Sequence, residues 1–306
     1  MDEKIFRDTR TQIGILRSRG LVIKNTKFAK KIIRETNYYN LINGYKTPFL
    51  RKNTSYETYL NGTRFEELYA LYEFDRKLRI VTLEVILKIE KQVKSLISYT
   101  FSKEYGHKDY LRYENFDTNG SKKYKQVSEL LSQLYRKISD NIDKDLSVSH
   151  YVNGKNYIPL WVLVNTMSLG EISKFYVNML QHDKNEVAKC MKWGVRENKL
   201  SNCLFFLSSI RNRCAHDELL YCYNSYVNLI NNKYFNYFRI AGAKNTYFAV
   251  MIVFKMLLNT REYNIYQKKI EVLLEELTGT LTTISVKKIQ RIMGFPNNWR
   301  YLKTMK

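Results

Sequence analysis

An all-α protein is the fold class this sequence predicts, and three observations carry the prediction. Glycine and proline are scarce, at 12 and 3 of 306 residues, and helix-compatible residues dominate. One apolar period of three and four runs from Phe65 to about Ser102. Capping and stop signals then divide the rest of the chain into further helical stretches. The apolar fraction of 44% is ordinary for a globular protein and argues against wholesale disorder. The length suits one large domain or two of ordinary size. With no internal repeat, low-complexity tract or linker, one helical domain over 1–306 is the economical reading. Its core is expected at roughly 65–230, with 1–64 and 231–306 as helical elaborations.

In chain order, helices are expected over Ile5 to Arg19 and Thr26 to Glu35, with Gly20 as a stop and Thr26 as an N-cap. Residues 37–49 are punctuated by Asn, Gly and Pro, so they read as a turn-rich segment whose tyrosines pack against the helical body. In the long helix Leu68, Leu71, Leu78, Val85, Ile89, Val93 and Leu96 form the seam. Asp75 and Thr82 interrupt it, and buried polar groups need partners, so Asp75 or Glu90 is expected to pair with a core-facing arginine. Gly106 ends this region and His107 to Gly120 forms a loop. A helix follows over Lys122 to Ile138. The Asn153-Gly154 turn between β-prone flanks suggests a small hairpin within 143–158. Pro159 opens the next helix, and Ser168-Leu169-Gly170-Glu171 is a capping-box pattern that starts another. Asp183 to Glu186 gives a second start and Trp193-Gly194 a stop. Helices are then expected over Glu197 to Ala215, Tyr221 to Ile230, Lys244 to Asn259, Glu262 to Leu277 and Ser285 to Met293.

The formal net charge of +22 points either to a solvated basic surface or to a polyanionic partner, with nucleic acid ahead of membrane. Basic residues lie within structured segments, as in Lys287-Lys288 with Arg291, and not in a single-sign tail. Cys190, Cys203, Cys214 and Cys222 have no C-x-x-C spacing and read as reduced core residues of a cytoplasmic protein. No apolar leader follows Met1, and the longest apolar run, Tyr247 to Leu258, is too short for a bilayer and contains Lys255.

The candidate chemistry lies in Arg211-Asn212-Arg213-Cys214-Ala215-His216. On a helical wheel Leu200, Cys203, Leu204, Leu207, Ile210 and Cys214 make one apolar stripe, and Arg211 falls on its edge. Asn212 and His216 form an i,i+4 pair, whereas Arg211 and His216 stand about 140° apart around the axis. Imidazole titrates near neutrality, so His216 can serve as the general acid/base at a 2′-hydroxyl or a 5′-oxygen. Arg211 can hold a phosphate, with Asn212 orienting the imidazole and Arg213 adding charge. The bland alternative makes Arg211 an ion-pair partner for a carboxylate and His216 a cation at a helix C-terminus. His107, His150, His182 and His216 show no metal-ligand spacing, so neither a metal nor another cofactor is expected.

Arg211-Asn212-x-x-x-His216 resembles the R-N-x-x-x-H signature of the HEPN superfamily of helical ribonucleases. Its surroundings are similar to the AbiD/AbiF-type abortive-infection proteins of bacteria. The resemblance extends along nearly the whole chain: Ile42-Asn43-Gly44-Tyr45 with Pro48-Phe49, Leu71 through Arg79 running into Ile89-Glu90, Pro159 through Leu163 with Ser168-Leu169-Gly170, and Gly294-Phe295-Pro296-x-x-Trp299. It implies a HEPN-like helical bundle core, metal-independent endoribonuclease activity and a composite site shared by two motif helices in a homodimer. It also implies phage defence by toxin-like growth arrest, restrained in some members by a guarding RNA. The family's upstream polar contributor falls on Glu90. A non-catalytic protein that holds a structured RNA on a basic face is the alternative, with Arg213, Lys287, Lys288 and Arg291 as candidate contacts. A DNA-binding regulator has little support, because no helix-turn-helix signature stands out.

Overall fold

The structure, a computed structural model, describes residues 5–191, 195–240 and 245–305. Among them lie thirteen α-helices and no sheet, only three isolated bridges. The first four are α1 (Thr9–Ser18), α2 (Thr26–Thr36), α3 (Phe65–Tyr105) and α4 (Ser121–Asn141). Then come α5 (Leu146–Lys155), α6 (Leu160–Thr166), α7 (Leu169–Asn178), α8 (Gln181–Met191) and α9 (Glu197–Ala215). The last four are α10 (Lys233–Phe238), α11 (Tyr247–Leu257), α12 (Thr260–Thr280) and α13 (Val286–Ile292).

The all-α expectation holds, and α3 is the axis of the molecule: α6, α7, α8, α9 and α12 all pack against it. Being contacted on several sides, α3 buries more than one stripe. Phe65, Leu68, Leu71, Phe74, Leu78, Ile86, Ile89, Val93, Ile97 and Phe101 are buried, while Val85 and Leu96 of the expected seam are only half-buried. Over so many turns the straight helix drifts against any fixed heptad, so the buried positions move from one residue to its neighbour. Thr82, which breaks the seam, hydrogen-bonds the Tyr247 hydroxyl at 2.8 Å, and Tyr247 reaches Tyr266 at 2.8 Å. The buried apolar residues from Ile13 to Leu302 form a hydrophobic core cluster.

Capping chemistry sets most boundaries. At α7 the Ser168 hydroxyl accepts from the Glu171 N–H at 3.3 Å, and the Glu171 carboxylate accepts from the Ser168 N–H at 2.6 Å, the reciprocal box expected from sequence. Asn259 and Glu262 repeat the device at α12. Gly20 ends the turn after α1 with φ 89, and Gly106 follows α3 with the same value. At α2 the cap is Asn25, whose side chain accepts from the Phe28 N–H at 2.9 Å, and Thr26 is the first helical residue.

Four expectations are corrected. Residues 146–155 form α5 and no hairpin: Asp145 caps the start by accepting from the Ser147 and Val148 N–H groups, and Asn156, with φ 59, takes the left-handed position that ends it. α8 begins at Gln181, so Asp183 lies within it, buried, accepting from the Tyr105 hydroxyl at 2.7 Å. Residues 221–230 are irregular and extended, with their backbone bonded to side chains and loops in place of a helical ladder. Of the cysteines, Cys203 and Cys214 are buried, whereas Cys190 and Cys222 lie at the surface, and all four are free. The Trp193-Gly194 stop and the Lys244 helix start lie outside the described residues. The short helix α10 and a 3-10 turn over Trp299–Lys303 are elements not expected from the sequence.

Candidate functional site

The buried stripe of α9 contains Leu200, Cys203, Leu204, Leu207, Ile210 and Cys214, as the helical wheel predicts, together with Phe206. Burying that stripe fixes the rotation of the helix and leaves Arg211 on its edge, against α3. The Arg211 Nε stands 3.9 Å from Glu90 Oε2, too far for a hydrogen bond and close enough for an ion pair. The other Glu90 oxygen accepts from Lys94 Nζ at 2.7 Å. Neither Arg211 Nε nor Glu90 Oε2 has a hydrogen-bond partner among the described residues. The Arg211 side chain keeps 31% of its exposure. A buried carboxylate thus steadies its inner edge while the outer donors face an accessible surface.

His216 is the C-cap of α9, with φ −98 and ψ 15, and its N–H donates to the Asn212 carbonyl at 2.9 Å. Asp217 follows in the left-handed region at φ 56, and the Glu218 N–H closes on the Arg213 carbonyl at 3.1 Å. This is a Schellman-type reversal, and it leaves the His216 ring exposed at the helix end. Asn212 is exposed, and among the described residues its side chain makes no hydrogen bond to the ring; the backbone bond is what links the two. Arg213 is committed to the turn. It donates to the Leu219 carbonyl at 2.9 Å, pairs with Glu218 at 3.1 Å and lies over the Tyr223 ring at 4.6 Å.

A buried cluster on α3 holds this turn in place. Asp75 accepts from the Leu220 N–H at 3.2 Å, the Tyr221 N–H at 2.7 Å, the Tyr45 hydroxyl at 2.9 Å and Arg79 Nη1 at 2.8 Å. Arg79 also bonds the Asp217 carboxylate. Burial pushes the Asp75 carboxyl above the usual carboxylate range, opposed by Arg79 and by the two backbone N–H groups. Burial likewise raises the Cys214 thiol to about 12, so it stays protonated near neutrality. An arginine partner is expected for Asp75 or Glu90: Arg79 serves Asp75 at 2.8 Å, and Arg211 also lies within ion-pair range of Glu90.

His216 lines an open cleft of about 440 Å³. One wall is Arg213 with residues 216–219; the other is Tyr39, Asn40, Asn43 and Gly44, with Tyr45 and Tyr72 between them. The second wall has an unusual backbone. Asn37 stands at φ 63, its side chain accepts from the Tyr39 N–H at 2.9 Å, and Tyr39–Asn43 is a π-helix. Gly44 then packs so tightly on the turn that a Cβ would lie 2.9 Å from Leu219 Cδ2. Its carbonyl accepts from the Tyr221 hydroxyl at 3.1 Å.

Arg211 does not line this cleft, in keeping with its angular separation from His216. Nor do Lys287, Lys288 or Arg291, which sit on α13. Lys287 and Arg291 are exposed, whereas Lys288 is half-buried and donates to the Pro48 carbonyl, burial lowering its amine's pKa. Sequence reading missed Tyr39, Asn40, Asn43 and Tyr72 as cleft residues and expected the tyrosines of 37–49 to pack inward. Tyr45 does so, but Tyr39 is 65% exposed. The signal available was two asparagines interleaved with tyrosines; the π-helix that presents them has no simple apolar period. Among the described residues no group of three or more His, Cys, Asp or Glu could hold a metal ion, and no helix is long and apolar enough to cross a membrane.

A family model described as Abi-like protein matches residues 31–222, well over half the chain, and spans the π-helix, α3 and all of α9. Comparison with curated proteins and with solved structures gives no match.

Proposed function

The chain belongs to the Abi-like family of abortive-infection proteins, and on that premise we propose that it is an endoribonuclease acting in phage defence by growth arrest. The observation that carries the reading is the exposed His216 at the mouth of an open cleft, ending the helix that also presents Arg211 beside Glu90. In the reaction proposed, the 2′-oxygen of RNA attacks the adjacent phosphorus and the bond to the 5′-oxygen breaks. The 2′-hydroxyl loses a proton, the 5′-oxygen gains one, and the products carry 2′,3′-cyclic phosphate and 5′-hydroxyl ends. His216 moves these protons, and Arg211 offsets the charge that builds on the equatorial oxygens.

In-line displacement places the incoming and leaving oxygens on opposite sides of phosphorus, yet each chain supplies one His216. A homodimer that brings two α9 ends together resolves this, each copy completing the other's site. Apolar surface beside α9 favours such a contact: Phe205 is 50% exposed and Tyr226, 79% exposed, meets it edge-on at 6.4 Å.

The test is cleavage of unpaired RNA in the presence of chelator. The full chain is expected to cut and leave cyclic phosphate ends, while His216→Ala and Arg211→Ala each lose at least about a hundredfold in rate. Cleavage that requires added magnesium, or that both variants retain, overturns the reading. RNA binding without any cleavage favours instead a non-catalytic protein that captures RNA on its basic surface.

A further inference from the structure

We propose that Tyr39, Asn40, Asn43 and Tyr72 form a nucleobase subsite beside His216, taking one unpaired base of an RNA strand. The position of that base next to the cut rests on the ribonuclease reading; the base-binding chemistry stands on the cleft itself. Charge separates a base from a phosphate here. Although the chain carries a net +22, the cleft contains Asp217 and Glu218, and its one arginine, Arg213, already pairs with Glu218. Both carboxylates are paired as well, Asp217 with the buried Arg79 and Glu218 with Arg213, so a phosphate entering the cleft would meet no uncommitted guanidinium, whereas a neutral base meets rings and amides.

Tyr39 offers an exposed ring. Tyr72 is braced, stacked on Tyr69 at 5.9 Å and edge-on to Tyr45 at 5.5 Å, so it is a rigid platform. Asn43 Oδ1 accepts from Lys46 Nζ at 2.8 Å, and Glu57 holds Lys46 in turn. That bond orients the amide and leaves its NH₂ free to donate to a ring nitrogen or carbonyl of a base. Asn40 is exposed, and its side chain makes no hydrogen bond among the described residues. A cleft of about 440 Å³ lies in the size range of small-molecule sites, about 300–1,000 Å³, so a base can enter only when unstacked and unpaired. The π-helix is what sets both asparagines on this wall, and π-turns recur at functional sites.

Two measurements on the full chain test the subsite. In the first, His216→Ala protein is titrated into a short single-stranded RNA carrying the fluorescent base 2-aminopurine. Quenching on binding is expected, and adding Tyr39→Ala should weaken binding roughly 5- to 150-fold. An RNA duplex should bind without quenching. In the second, cut sites are mapped in a random-sequence RNA pool. A preference at one nucleotide flanking the cut is expected, and Asn40→Ala or Asn43→Ala should flatten it. Quenching unmoved by Tyr39→Ala, or His216-dependent cleavage whose preference ignores both asparagine variants, overturns the subsite and leaves the ribonuclease reading intact. No cleavage, with Tyr39-dependent quenching retained, overturns that reading and upholds the subsite. Free nucleoside monophosphates that bind as tightly as the oligomer would overturn RNA as the source of the base.

Discussion

Asp75 joins three pieces of chain at one carboxylate: Tyr45 from the cleft wall, Arg79 four residues along α3, and the N–H groups of Leu220 and Tyr221 after the His216 turn. Replacing it by alanine leaves Arg79, 3% exposed, with only the exposed Asp217 as a charge partner, and strips two backbone donors of theirs. Breaking a buried pair of this kind costs about 3–5 kcal/mol, so Asp75→Ala should unfold at markedly lower urea and lose RNA cleavage with it. Asp75→Ala with Arg79→Met should recover part of that loss, because no buried charge is then stranded. A cost below about 1 kcal/mol for the single variant would show that the cluster does not hold the turn. That Asp75 or Glu90 needs an arginine partner was legible in the sequence. Which arginine each takes was not, because Arg79 is local to α3 while Arg211 reaches Glu90 only once α9 packs there.

Between elements, Glu67 makes a comparable link. In the first turn of α3 and fully buried, it accepts from the Thr282 N–H at 2.7 Å and the Thr283 N–H at 2.8 Å, tying α3 to the chain between α12 and α13. Burial raises the carboxyl's pKa, but the backbone and hydroxyl donors of Thr283 and Thr282 outweigh it, and the net shift is downward from 4.5. A carboxylate with a depressed folded pKa stabilises the protein fully above its unfolded pKa, and the contribution fades as pH falls through the folded value. Urea unfolding of the wild type should therefore lose stability on acidification below about 4.5, and Glu67→Gln, already weaker at pH 7, should lose less over the same range. Parallel pH profiles would refute the link. Element boundaries were legible where capping chemistry is local, as at Ser168 and Glu171. They were obscured where tertiary contacts decide. Residues 220–230 bury Leu220, Tyr221, Tyr223, Ser225, Val227 and Leu229, largely in alternation with exposed neighbours. This period of two, visible in the sequence, outweighs helix propensity because Asp75, Asn202 and the Asn245 carbonyl take the backbone N–H groups.

Across the whole molecule, charge and shape divide the work of holding RNA. The +22 belongs to the whole chain, whereas in the cleft beside His216 the charges are paired, Asp217 with Arg79 and Glu218 with Arg213. Sequence could supply the total but not this local balance, since residues 39–44 and 216–219 meet only in the fold. Phosphates should therefore be gripped outside the cleft by exposed cations, among them Lys287 and Arg291, which share a face of α13 at i,i+4 spacing. For a single strand, each neutralised phosphate contributes about −0.7 to the slope of log binding constant against log salt. If RNA crosses α13, Lys287→Ala with Arg291→Ala should make that slope shallower by about 1.4 and weaken all sequences alike, leaving the base preference at the cut unchanged. Filter binding of an unpaired RNA over a salt series measures both. A slope equal to the wild type's would remove α13 from the RNA path and move the phosphate grip to other basic surfaces of the chain.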